Sequence, residues 1–220
     1  MPKPLPPVLQ VRGLCFAYPG QAALFAHWCA DLPAGLTLLE GDSGKTTLMR
    51  LLAGDLVNQG GELTLAGHRW AAEPLIYRQH CCWFDPREPA WDALTPAAMM
   101  AAQRELHPGL DLAAWQRHLA GFELTPHLAK PLYALSTGSR RKAGLAAALA
   151  AGCALTLLDE PCAGLDRASL AYLARALTDA ARTPGRALLL AGSQALEGLP
   201  VASWVRLTEP PHEPPDRPAR

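Results

Sequence analysis

Residues 40–48 read E-G-D-S-G-K-T-T-L. A lysine between a glycine and two threonines is a set of groups suited to a triphosphate. The ammonium of Lys45 is a point charge for β- and γ-phosphates, and the Thr46 hydroxyl is a hard oxygen ligand for Mg²⁺. Gly41, Ser43, Gly44 and Thr47 complete the candidate loop. A complete loop of this kind has the form G-x-x-x-x-G-K-[ST]. Here only Asp42 and Ser43 lie between Gly41 and the Gly44-Lys45 pair. A second chemical group is Asp159-Glu160, which ends the apolar run L-T-L-L. Two acids at a strand end suit a water-mediated hold on Mg²⁺ by Asp159 and polarisation of an attacking water by Glu160. The third is L-S-T-G-S-R-R-K, residues 135–142, in which Ser136 offers a hydroxyl and Gly138 permits close backbone approach to a phosphate. Each has a plainer reading as well: a polar helix cap, solvated acids at a strand end, and an ordinary cap followed by a basic surface turn.

These residues need elements to place them. The apolar strand Leu36–Leu39 leads into the Lys45 loop, and a helix from about Gly44 to Ala53 follows, stopped by Gly54. Amides at the start of such a helix lack intrahelical acceptors, and the helix dipole there favours anions. Strands are expected at 8–18, 22–31, around Leu63 and Leu65, and at Cys81–Phe84. Residues 96–131 read as mainly helical, with breaks at His107-Pro108-Gly109 and Thr125-Pro126. Helix Ser139–Ala151, strand Ala154–Leu158, helix Arg167–Ala181, strand Ala187–Ala191 and strand Ala202–Leu207 close the pattern. Strand–helix alternation implies an α/β fold with a mostly parallel sheet. One domain over 1–207 with a helical lobe at about 90–135 is expected. The proline-rich stretch 208–220 is expected to form no packed element.

In their order, these motifs resemble the nucleotide-binding subunit of an ATP-binding-cassette (ABC) transporter, over roughly residues 8–207. The segment L-S-T-G-S is similar to that family's signature L-S-G-G-Q and stands just before L-L-D-E-P. C-A-G-L-D, ending in Asp166, resembles its D-loop. Tyr18 stands where the family has an aromatic that stacks on adenine. Size and brevity are similar to compact export-type ATPases, the haem-export type among them. The resemblance implies a P-loop NTPase core with an antiparallel β subdomain and a helical subdomain, with ATP and Mg²⁺ as ligands. It implies a head-to-tail homodimer or heterodimer, with ATP between the Lys45 loop of one copy and Ser136–Gly138 of the other. It also implies a separate membrane permease as partner, and a cytoplasmic place at the inner face of the membrane.

The chain departs from the family at four places. Asp42 and Leu39 stand where the loop has glycines. Asp85 takes the place of a glutamine and is a candidate Mg²⁺ ligand. Gln194 stands for the switch histidine; it can hydrogen-bond a γ-phosphate but cannot carry an imidazolium's charge. Thr137 and Ser139 replace a glycine and the glutamine of the signature. The leading expectation is therefore an ATPase subunit, with a nucleotide-binding regulatory subunit of weak or no turnover as the alternative. Equal numbers of acids and bases, 20 each, give no electrostatic support to a nucleic-acid partner. The six cysteines include no C-x-x-C pair, so free thiols, buried or half-buried, and a reducing compartment are expected. The N-terminus lacks an apolar signal region, and the longest apolar run, Ala143–Leu158, is shorter than the roughly 20 residues of a membrane span. Trp70, Trp83, Trp91 and Trp115 are expected to pack rather than to bind.

Overall fold

A computed structural model describes residues 6–85, 91–192 and 196–207. The expected Gln194 and the stretch 208–220 lie outside the described residues. Nine strands and six α-helices are described: β1 (Leu9–Ala17), β2 (Ala23–Leu32), β3 (Gly35–Glu40), α1 (Lys45–Leu52), β4 (Gly60–Leu65), β5 (His68–Arg69), α2 (Pro74–Gln79), β6 (Cys81–Phe84), α3 (Pro96–Leu106), α4 (Leu112–Gly121), α5 (Thr137–Ala150), β7 (Leu155–Asp159), α6 (Arg167–Ala181), β8 (Ala187–Ala191) and β9 (Val201–Arg206).

β6-β7-β8-β3-β9 form a parallel sheet, while β2-β1-β4-β5 form an antiparallel one. Parallel strands are buried on both faces, which is why β7 and β8 are continuous apolar runs with every residue buried. Their period of two divides the molecule into two cores. Leu155, Leu157, Ala187 and Leu189 face α1 and the antiparallel sheet, whereas Leu158, Leu188 and Leu190 face α3–α6. Cys81 and Cys82 obey the same alternation, one in each core. All six cysteines are free, as expected; four are buried and Cys15 is half-buried, but Cys29, on β2, is exposed against expectation.

Close packing of α5 on the sheet depends on small residues. Ala143 and Ala146–Ala148 are buried there, and a Cβ on Gly144 would strike the Phe84 ring of β6. Trp115 is buried, and Trp70, Trp83 and Trp91 are half-buried packing residues, as expected. β5 and α2 were not legible in the sequence. α2 has six residues and begins at a proline, too short for a helical period, and tertiary contacts hold it. Its buried Tyr77 hydroxyl donates to the Leu52 carbonyl at 2.8 Å.

Candidate functional site

The parallel register carries the ends of β3, β6, β7 and β8 to one edge of the sheet. Phe84 lies opposite Leu158, so Asp85 follows β6 beside Asp159 at the end of β7. Crevices at the carboxyl ends of parallel strands are where such folds hold ligands.

β3 runs unbroken to Glu40, whose backbone accepts from Leu207 at 2.8 Å and whose side chain pairs with Arg206. Leu39 and Glu40 thus belong to the β3–β9 ladder and not to the loop. The turn consists of Gly41–Gly44. Gly41 has φ 141°, and a Cβ there would lie 2.9 Å from that of Leu207. Gly44 has φ 82°, left-handed backbone that glycine adopts without strain. α1 starts at Lys45 with no side-chain cap, so its first amides are left for an anion.

Lys45 turns back across the loop, and its Nζ donates to the Gly41 carbonyl. The Thr46 hydroxyl donates to Oδ2 of Asp159 at 2.6 Å. Tyr18 and Thr47 hydroxyls are 3.0 Å apart, and the Tyr18 ring meets Phe16 edge-on. Ser43 is exposed, as is Asp42. Thr46 and the buried carboxylate of Asp159 form the oxygen set that Mg²⁺ takes, and Lys45 with the α1 amides forms a phosphate set, so the residues present fit a magnesium-bound triphosphate in kind.

Glu160 follows β7 in left-handed backbone, φ 47°, its amide held by the Ala191 carbonyl at 2.7 Å. A non-glycine residue in that region is strained, and such strain concentrates at functional positions.

Ser136, Gly138 and Asp166 form a second group. Ser136 caps α5 by accepting from the Ser139 amide at 3.1 Å. Asp166 caps α6 through the Ser169 amide at 2.8 Å and pairs with Lys142 at 2.7 Å. Lys142 and the Ser169 amide hold its carboxyl well below the usual carboxylate range. A Cβ on Gly138 would lie 2.8 Å from the Gly164 carbonyl, so glycine lets the two loops touch.

The basic triplet Arg140-Arg141-Lys142 was expected on the solvated surface. The structure anchors all three instead. Arg140 pairs with Asp92, Lys142 with Asp166, and Arg141 Nη1 donates to the Ala163 carbonyl. Arg141 also interacts electrostatically with Glu160 and Asp159, while burial lowers its affinity for a proton. Sequence reasoning missed Arg141 as a link between the two groups. Its position one turn into α5, before the acidic strand, was the available signal.

The ABC transporter family model matches residues 38–163. The chain is 36% identical over 167 residues to "Cytochrome c biogenesis ATP-binding export protein CcmA" of Rhodospirillum rubrum, covering 70% of this chain and 67% of that one. It is 32% identical to the protein of the same description from Cupriavidus necator, covering 91% and 88%. A solved structure described as "Structure of ATP binding subunit of ABC transporter" superposes with a TM-score of 0.75 at 22% identity, over 84% of this chain and 79% of that one; at that identity the likeness speaks for the fold. With the loop, the acidic strand end and the capped α5 in their places on this sheet, the chain belongs to the ABC transporter family, as its ATP-binding component.

Proposed function

We propose that this chain binds Mg-ATP at the edge formed by β3, β6 and β7 and couples its binding and hydrolysis to a separate membrane permease. The observation that carries the reading is the 2.6 Å hydrogen bond between Thr46 and Asp159, which joins the phosphate loop to the acidic strand across 113 positions of sequence. Lys45 leaves the Gly41 carbonyl for the phosphates. Thr46, Asp159 and Asp85 would hold Mg²⁺, which would neutralise charge on the β- and γ-phosphates. Glu160 orients and polarises the attacking water, aided by Gln194. Tyr18 offers its ring to adenine. Ser136, Gly138 and Asp166 face the nucleotide of a second copy, so ATP stabilises a closed head-to-tail dimer because it touches both halves only there. That closure is transmitted to the permease, placing the chain peripherally at the inner face of the membrane. No helix among the described residues is long and apolar enough to cross a membrane.

A second reading, a nucleotide-binding regulatory subunit with little turnover, draws on the short turn Gly41–Gly44, in which Lys45 is held by the loop's own carbonyl. Calorimetry with Mg-ATP and steady-state phosphate release decide between them. The ATPase reading expects saturable binding and turnover at least about a hundredfold above Glu160→Gln. Binding with turnover equal to that of Glu160→Gln supports the regulatory reading. No heat of association at millimolar ATP overturns both.

A further inference from the structure

The segment after β7 carries Glu160 at one end and Asp166 at the other, and it is held at both ends and in the middle. The Glu160 amide donates to the Ala191 carbonyl at 2.7 Å, and the Asp166 carboxylate pairs with Lys142 at 2.7 Å. Between them lie two turns: the Ala163 amide donates to the Glu160 carbonyl at 3.3 Å, and the Leu165 amide to the Cys162 carbonyl at 3.2 Å. The middle is gripped from α5, where Arg141 Nη1 donates to the Ala163 carbonyl. Hydrogen bonds thus run from Arg141 through Ala163 to the backbone of Glu160. That backbone is left-handed, with φ 47°, and a non-glycine residue keeps such a conformation only where its surroundings fix it.

The approach of α5 to this turn is close. A Cβ on Gly164, which has φ 73°, would lie 3.4 Å from Arg141 Nη1, and a Cβ on Gly138, one turn before Arg141, would lie 2.8 Å from the Gly164 carbonyl oxygen. The start of α5 therefore rests directly on the backbone that follows Glu160. Arg141 is half-buried there, and its Nε is buried with no hydrogen-bond partner. A guanidinium stays protonated in proteins, and burying a charge is costly without a counter-charge. Burial disfavours the charge of Arg141, and the carboxylates of Glu160 and Asp159 offset that. A neutral donor would tie a helix to a turn without this cost. The chain instead spends a cation at a point that grips the turn and faces the two acids of the site.

We propose that Arg141 is a positioning residue for hydrolysis: by gripping the Ala163 carbonyl it fixes the turn from Glu160 to Ala163, and with it the direction in which Glu160 presents its carboxylate to the attacking water. This role rests on the ATPase reading of the site and adds to it a residue from outside the phosphate loop and the acidic strand. Arg141 acts through Glu160, so its loss costs turnover rather than nucleotide binding. Its charge and its donor both count: the donor holds the turn, and the charge draws the carboxylate towards one orientation.

The test is a double-mutant cycle on phosphate release by the full chain with Mg-ATP. Arg141→Met keeps the apolar stem and removes the charge and the donor. Its kcat is expected to fall by about tenfold to a hundredfold, with KM within about threefold of wild type. Arg141→Lys, which restores the charge and one donor, is expected to recover kcat to within about threefold of wild type. In the Glu160→Gln background, Arg141→Met should change the residual rate by less than about threefold, because the carboxylate it acts through is already gone. A purely structural tie would lower both backgrounds alike. The role is overturned if folded Arg141→Met turns over within about threefold of wild type, if Arg141→Lys does no better than Arg141→Met, or if the loss is as large in Glu160→Gln. Wild-type turnover no faster than that of Glu160→Gln overturns the ATPase reading itself, and this role with it; the wild-type rate alone identifies that case. Should Arg141→Met not fold, Arg141→Gln, uncharged and with a shorter reach, takes its place in the cycle with the same expected losses.

Discussion

Glu160 is strained for a reason that its identity does not explain. Its left-handed backbone, φ 47°, holds a carboxylate at the strand end where a glycine would sit at ease. Two substitutions separate strain from chemistry. Glu160→Gln keeps shape and strain, and we expect phosphate release to fall by about 10² or more while Mg-ATP affinity stays within about threefold. Glu160→Gly is expected to abolish turnover yet raise stability by about 1 kcal/mol, read as a higher denaturant midpoint. A second residue, His118, gives a pH signature. Its ring lies 2.9 Å from the Tyr172 hydroxyl, and burial, with Arg117 and Arg186 nearby, holds its pKa down to about 4. In the unfolded chain it protonates near the ordinary value of about 6.5. Between those values the unfolded state binds more protons, so its contribution is present above about pH 6.5 and lost as pH falls towards 4. The urea midpoint is expected to drop more from about pH 7 to about pH 5 in wild type than in His118→Gln.

Among elements, α5 carries the most consequence. It begins at Ser136, passes Arg141 and Lys142, and lies on β6 through small residues. Gly144→Ala would drive a methyl into the Phe84 ring. We expect a loss of about 1–3 kcal/mol in the denaturation midpoint, because overpacking forces β6 or the helix to move. Displacing β6 also moves Asp85, so the Mg²⁺ dependence of nucleotide binding should weaken along with stability. α6 is tied to α5 by Lys142 and Asp166, and Asp166→Ala removes both that ion pair and the cap on Ser169. Circular dichroism is expected to show a lower melting temperature for Asp166→Ala, with Lys142→Met a partial copy of it.

For the molecule as a whole, the proposed dimer predicts a nucleotide-dependent mass. Glu160→Gln with Mg-ATP should sediment as a dimer and without nucleotide as a monomer. Ser136→Arg places a bulky cation on the proposed facing surface; it should abolish that dimer while changing monomer affinity for ATP less than about threefold, since the hydrogen bonds of the Ser136 hydroxyl are to Ser139 on its own helix. Dimerisation of Ser136→Arg as readily as its parent would remove Ser136–Gly138 from the interface.

The sequence by itself determined the parallel core, because burying a strand on both faces demands the apolar runs Leu155–Leu158 and Ala187–Ala191. It also marked the candidate site proposed here, since Gly44-Lys45-Thr46 and Asp159-Glu160 are local and few residue types suit phosphate and magnesium. Tertiary structure alone decided that Thr46 meets Asp159, that β3 keeps Leu39 and Glu40, and that Arg141 and Lys142 are anchored rather than solvated. It alone revealed α2, the strain at Glu160, and the meeting of His107 with Cys153 from distant parts of the chain. Periodicity along a chain reports which face is buried; which distant group is buried against it depends on how strands and helices stack, and that appears only when they do.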